Sequence, residues 1–177
     1  MKTVRGTDVL ATVGFVVERF GSEAHERVLK RIAPEAAAAV RSVDRDGQRI
    51  PWPHLRDYTV ASKRLLAPDD ADYYRQMGFF VGRSYVERGG FGVMVKDRRT
   101  AARMIPTFWR SIVEDGEMSI VSDDEAVLVV RLTEFPVAAV ICERLVGAFE
   151  AALGPRRIEH TSCETRGDAH CEWTLWF

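Results

Sequence analysis

The repeat of apolar residues first changes period along this chain after Gly116. Before it, apolar residues return at three- and four-residue intervals, as one face of a helix requires. From Glu117 they alternate: "EMSIVSD" and "EAVLVVRL" each place apolar side chains two residues apart, with Ser122–Asp124 as the turn between them. Helical spacing returns in "FPVAAVICERLVGAFEAALG", opened by Pro136 and closed by Gly154, and two further short strands, "RIEHTSCET" and "HCEWTLWF", finish the chain. Helices first, then strand–strand–helix–strand–strand, predicts an α+β fold in which N-terminal helices pack on a small antiparallel sheet.

Upstream of the switch the pattern predicts a helix from Thr7 to a stop at Gly21. A second follows over "SEAHERVLKRIAP" with Ser22 as its cap, and a third over "EAAAAVRSV". "DRDGQRIPWP" reads as a loop because Asp46-Gly47 is a turn pair and prolines flank Trp52. "HLRDYTVASKRLLAP" and "DDADYYRQMGFFVGRSYVERGG" read as amphipathic helices. In the second, Gly78 and Gly82 share a face and allow close packing of a neighbour. "FGVMV" reads as a short strand or hinge, and "GGFG" at Gly89–Gly92, which lacks the residues of a phosphate loop, reads as a hinge. Asp97 should cap "RRTAARMIPTFWRSIVEDG", and Pro106 should kink or divide it.

A chain of 177 residues suits one domain, 1–177, with a helical part over 1–68 and the remainder over 69–177. The net charge of −1 and the interspersed acids and bases argue against a nucleic-acid or membrane footprint. The N-terminus does not read as a signal peptide, so a cytoplasmic protein is expected. Three cysteines in such a compartment do not suggest a structural disulfide.

Two of those cysteines bracket "CETRGDAHC". If this hairpin is symmetric about Gly167, Cys163 lies opposite Cys171, with Cβ atoms about 4.5–5.5 Å apart. Two thiolates at that separation can share a zinc ion, or the two can be small buried residues of a plain hairpin. Strand parity turns His160 and His170 to the other face, so a site that also used His160 would need a bulge. No Ser, His and Asp set, paired-carboxylate signature or HExxH stretch is visible, and an enzyme is not expected. The aromatic residues Phe79, Phe80, Phe108 and Trp109 are the candidate ligand-binding set, although residues of this kind are more often core.

The C-terminal two thirds resembles the 4-vinyl reductase, or hydrocarbon-binding, domain family. Pro136, Cys142 and Gly147 carry the resemblance, with the C-x7-C pattern of Cys163 and Cys171 around Gly167-Asp168; Gly78, Gly82 and Tyr73-Tyr74 match an earlier helix. The chain is also similar to an uncharacterised bacterial family of about this length. The wider superfamily includes heme-NO-binding domains and vesicle-tethering transport-particle subunits. The resemblance implies an apolar pocket between helices and sheet, a homodimer, and a sensory module for a small hydrophobic molecule that acts through its dimer or a protein partner. A scaffold without ligand is the alternative, and an accessory factor of tetrapyrrole or aromatic metabolism the third reading. The resemblance further implies a zinc ion on Cys163, Cys171 and an upstream cysteine, here Cys142. The family's fourth ligand, a glutamate, falls on His160. No heme is expected, because "RSYVERG" does not supply the Tyr-Ser-Arg motif of the heme-binding relatives.

Overall fold

The computed structural model describes residues 2–88, 97–136 and 138–177. Thr3–Arg5 forms a short strand, β1, that runs directly into helix α1, Gly6–Phe20. Val9, Phe15 and Val16 are buried on the inner face of α1, and the helix stops at Gly21 as the sequence predicts. α2 (Ser22–Leu29) and α3 (Pro34–Ser42) follow. Ser22 is the first residue of α2, and Gly21 stands at the cap position expected for it. β2 (Arg49–Pro51) pairs antiparallel with β1, Val4 facing Ile50. This two-stranded sheet replaces the loop expected there. Three residues are too few to show an alternating pattern, and the pair forms because Val4 and Ile50 are both buried in the core.

α4 (Trp52–Leu66) and α5 (Tyr73–Arg88) complete the first half. The "GGFG" and "FGVMV" stretches lie outside the described residues. α6 (Arg98–Ile112) opens on the Asp97 carboxylate, which accepts the backbone N–H of Thr100 at 2.9 Å. It runs through Pro106 without division. A proline inside a helix costs about 3 kcal/mol. Ala101, Ala102, Ile105, Trp109 and Ile112 are all buried from this helix, and that burial outweighs the loss.

The second half is the expected strand–strand–helix–strand–strand unit. β3 (Glu117–Asp123), β4 (Val127–Thr133), β5 (Arg157–Ser162) and β6 (Cys171–Trp176) form one antiparallel sheet in the order β3-β4-β6-β5, with α7 (Ala139–Leu153) joining the two pairs. In the central strands the buried face is Leu128, Val130 and Leu132 on β4, and Cys171, Trp173 and Leu175 on β6. Their outward neighbours alternate with them, which is the period-two pattern of the sequence made physical. α7 packs along α5 more extensively than any other helix pair among the described residues. No described helix is long and apolar enough to cross a membrane.

Candidate functional site

Two features carry chemistry: an apolar cavity between the helices and the sheet, and a cluster of three cysteines and a histidine where α7 meets β5 and β6.

The cavity has a volume of about 120 Å³. α1 contributes Asp8, α4 Trp52, α5 Tyr85, α6 Phe108 and Trp109, and α7 Arg144 and Phe149, while Phe135 enters from the segment after β4. The rings interlock edge to face: Tyr85 on Phe108 at 4.7 Å and 88°, Trp109 on Phe135 at 5.3 Å and 80°. The Trp109 indole N–H donates to the carbonyl oxygens of Asp115 and Gly116 at 3.3 and 3.2 Å, which fixes that ring. The apolar wall carries a buried ion pair. An Arg144 N–H group donates to Asp8 Oδ2 at 3.2 Å and to Thr12 Oγ1 at 3.0 Å, and Thr12 Oγ1 donates back to the Asp8 carbonyl at 2.7 Å. Two lining residues each bury a polar atom that has no partner: the Tyr85 hydroxyl and the Trp52 indole N–H. Burial, reinforced by the Asp8 charge, holds the Tyr85 phenol well above its ordinary value, so it stays protonated.

The cluster is built by a bulge. His160 pairs with Trp173 and Ser162 with Glu172, so Thr161 is the extra residue and the register shifts there. Cys163 therefore falls just past β5 instead of opposite Cys171, as a symmetric hairpin would have placed it. The bulge leaves the His160 ring flat against Trp173, on the sheet's buried face, at 4.8 Å and 5°. The turn is tied by its own residues. The Cys163 N–H donates to the Asp168 carboxylate at 2.6 Å, the Cys163 carbonyl accepts from Arg166 and Asp168 N–H at 2.9 and 3.2 Å, and Gly167 takes a left-handed conformation at φ 98°. That is the reason for "RGD" in this position.

The result is that Cys142 Sγ on α7 lies 3.8 Å from Cys163 Sγ and 3.8 Å from Cys171 Sγ. Adding His160, the four donor atoms all lie within 4.8 Å of one another. The His160 Nε2 is buried without a partner. A tetrahedral ion with metal–sulfur bonds of ~2.3 Å separates its sulfurs by about 3.8 Å, so the spacing suits a shared ion. Without one, burial pushes the Cys142 and Cys171 thiols upward. At Cys163 burial acts in the same direction, but hydrogen bonds from Thr165 outweigh it and lower the thiol. The cluster is joined to the cavity through aromatic rings, since Phe149 on the cavity wall packs edge-on against Trp173 at 5.8 Å.

Of the aromatic residues singled out from sequence, Phe108 and Trp109 line the cavity. Phe80 packs instead against Phe15, at 5.8 Å. Phe79 is turned outward with 43% of its surface exposed. The sequence reading missed Asp8, Trp52, Tyr85 and Arg144. The signal for Arg144 was present: it stands at helical spacing among Val140, Ile141 and Leu145, a charge on an apolar stripe.

No protein-family model matches the chain, and no curated protein matches it. Solved structures do. An H-NOX protein from S. oneidensis in its Fe(II)NO ligation state superposes with a TM-score of 0.73 at 14% identity, over 97% of this chain and 97% of that one. An oxygen-binding H-NOX domain related to soluble guanylate cyclases, in its oxygen complex, gives 0.74 at 10% identity over 97% and 94%. A structure probing heme distortion in the H-NOX family gives 0.72 at 11% identity over 97% and 94%. At these identities the likeness establishes the fold. It agrees with the α+β fold expected from sequence, while membership of the 4-vinyl reductase family gains no support from a family model.

The cofactor expectation is corrected in both its parts. The fold neighbours include heme and Fe(II) proteins, so the missing motif in "RSYVERG" is no ground for excluding heme from this fold. Zinc is not carried forward, because the cluster offers donors for a metal without identifying an ion. Of the side chains that ordinarily hold heme iron, the described cavity wall offers Tyr85 and Met118 but neither histidine nor cysteine. Its volume is that of a single ring.

Proposed function

We propose that this chain is a cytoplasmic, non-enzymatic sensory module that binds a small hydrophobic molecule in the cavity and reports through its own dimer or a protein partner. The observation that carries this reading is the apolar, largely aromatic cavity between the helices and the sheet, with Asp8 and Arg144 paired among its lining residues. Its walls come from α1, α4, α5, α6 and α7, so a bound molecule bears on most of the helices that pack the core. The neighbours lend support, as proteins solved with NO or oxygen bound. A two-fold homodimer, the commonest closed symmetry, is the form we expect, with the exposed Phe79 of α5 as a candidate contact.

We further propose that the cluster of Cys142, His160, Cys163 and Cys171 is a structural site for a thiophilic metal ion, which would tie α7 to the last two strands. The sulfur spacing and the unpartnered His160 Nε2 support it. The C-x7-C resemblance to 4-vinyl reductase domains belongs to this reading.

Native mass spectrometry of the purified chain tests the main reading. The expected spectrum shows a dimer with an added small-molecule mass, and any heme or metal is identified by its own mass. A bare chain whose melting temperature is unmoved by a panel of single-ring compounds overturns it.

A further inference from the structure

The geometry points to a second binding surface besides the aromatic cavity: a groove along α4 that takes an acidic, amphipathic helix of a protein partner. The inference rests on the partner half of the reading above and deepens it, while the ligand half stands or falls separately.

The groove lies between one stripe of α4 and the turn that follows α2. Arg56, Val60, Arg64 and Leu65 line it from α4, and Arg31 and Ile32 from the turn. Arg56, Val60 and Arg64 stand at intervals of four residues, so the stripe runs about 12 Å along the helix, a little over two turns. The groove's volume is about 650 Å³, several times that of the aromatic cavity.

Its floor is apolar. Ile32, Val60 and Leu65 are half-buried and pack against the core. The rest of the lining is mainly basic. Arg31 and Arg64 are exposed, and neither has an ion pair or a side-chain hydrogen bond among the described residues. Arg56 is paired only with its neighbour Asp57, at 2.8 Å, and both side chains remain 43% exposed. Asp57 is the one acid of this lining, so three arginines less one aspartate leave two positive charges. The chain as a whole carries −1.

Charge complementarity therefore selects a partner with an excess of Asp and Glu. Shape selects a helix. A small molecule is ordinarily buried over most of its surface, whereas this groove runs beside the exposed Arg31 and Arg64. An amphipathic helix lays one apolar stripe on such a floor and keeps its charged flanks within reach of the arginines. About two turns of it match the stripe on α4. A flat lipid surface does not reach a floor that is concave and half-buried.

The experiment selects displayed random peptides of about 16 residues, long enough for four helical turns, against the full chain. The enriched sequences should carry more Asp and Glu than Lys and Arg, with apolar residues at three- and four-residue spacing. Raising the salt should weaken their binding. The double variant Arg31→Glu/Arg64→Glu should bind them about tenfold more weakly or worse, the combined scale of two exposed ion pairs. Used as bait itself, that variant should enrich basic sequences instead. Both side chains are exposed, and circular dichroism checks the fold. The milder Arg31→Gln/Arg64→Gln and the salt series on the unaltered chain read the same charge should the first variant fold poorly.

The inference is overturned by neutral or basic enriched sequences, by acidic ones that bind the double variant as well as the unaltered chain, or by no enrichment. Phosphatidylserine vesicles that bind the unaltered chain and not the variant would give the groove to a lipid surface instead. A dimer that the variant abolishes would give it to a second copy. Each of these outcomes leaves the cavity reading standing, because that reading is tested by the mass of a bound small molecule.

Discussion

Gly78 on α5 lies directly against the backbone of Arg144 on α7: a Cβ added at Gly78 would sit 1.9 Å from the Arg144 carbonyl oxygen. The crossing is reciprocal, since a Cβ at Gly147 would sit 1.9 Å from the Arg75 carbonyl oxygen. These contacts set how closely the two helices approach, and thereby where Arg144 enters the cavity wall.

Gly78→Ala and Gly147→Ala should each force the helices apart and cost about 3 kcal/mol or more, at the upper end of overpacking. Gly14→Ala is the control. Its nearest neighbour is a Phe80 ring atom at 3.6 Å, so it should be neutral or gain up to about 1 kcal/mol of helix propensity. Urea unfolding of the three variants checks the contrast. Equal effects at all three positions would mean the crossing is not under this constraint.

Arg144→Met should leave the Asp8 carboxylate buried without its partner and cost about 3–5 kcal/mol. Adding Asp8→Asn in the same chain should recover a large part of that loss, because the uncompensated charge is then gone. A double variant as unstable as the single one would show that Arg144 acts by packing and not by charge.

Cobalt(II) added to the reduced chain should give thiolate-to-metal absorption in the near ultraviolet and raise the unfolding temperature, since ligation free energy adds to folding. Cys171→Ser should weaken both signals. In the metal-free chain the same substitution should cost about 1–3 kcal/mol, from a buried hydroxyl imperfectly paired. An unchanged spectrum would leave the cluster as packing alone.

Burial holds the His25 imidazole below its ordinary value, and its Nδ1 lies 2.8 Å from the Tyr58 hydroxyl. The Glu26 charge opposes the shift and Arg41 adds to it. The folded chain therefore takes up the His25 proton at lower pH than the unfolded chain, where the value is about 6.5. Between those two values the unfolded state binds more protons, so stability is full above about pH 6.5 and falls as the pH drops toward the folded value. His25→Gln should make the fall in urea midpoint between pH 7.5 and 5 shallower. The remainder comes in part from His160, also lowered by burial. An unchanged slope would remove His25 from the account.

Where apolar residues recur over seven or more positions, the architecture could be read directly. β3, β4 and α7 follow the change of period at Gly116, and α1 ends at Gly21. The close face at Gly78 and Gly82 was legible for the same reason, since two glycines a turn apart leave room on one side only. The pairing of β1 with β2 was not, because each strand has three residues and finds its partner about 45 positions away. The sites divide in the same way. Cys163 and Cys171 were visible as a pair and the family resemblance pointed to Cys142 and His160, but the helix crossing and the bulge at Thr161 that bring the four together are encoded by no local pattern. The polar residues among the cavity's lining were hidden for a related reason. Asp8, Trp52, Tyr85 and Arg144 stand on four different helices, and whether a polar group is paired depends on what packs beside it. Periodicity is a property of neighbours along the chain, so the sequence by itself determined the longer elements. Proximity across the core is decided by packing, so only the tertiary structure decided the sites.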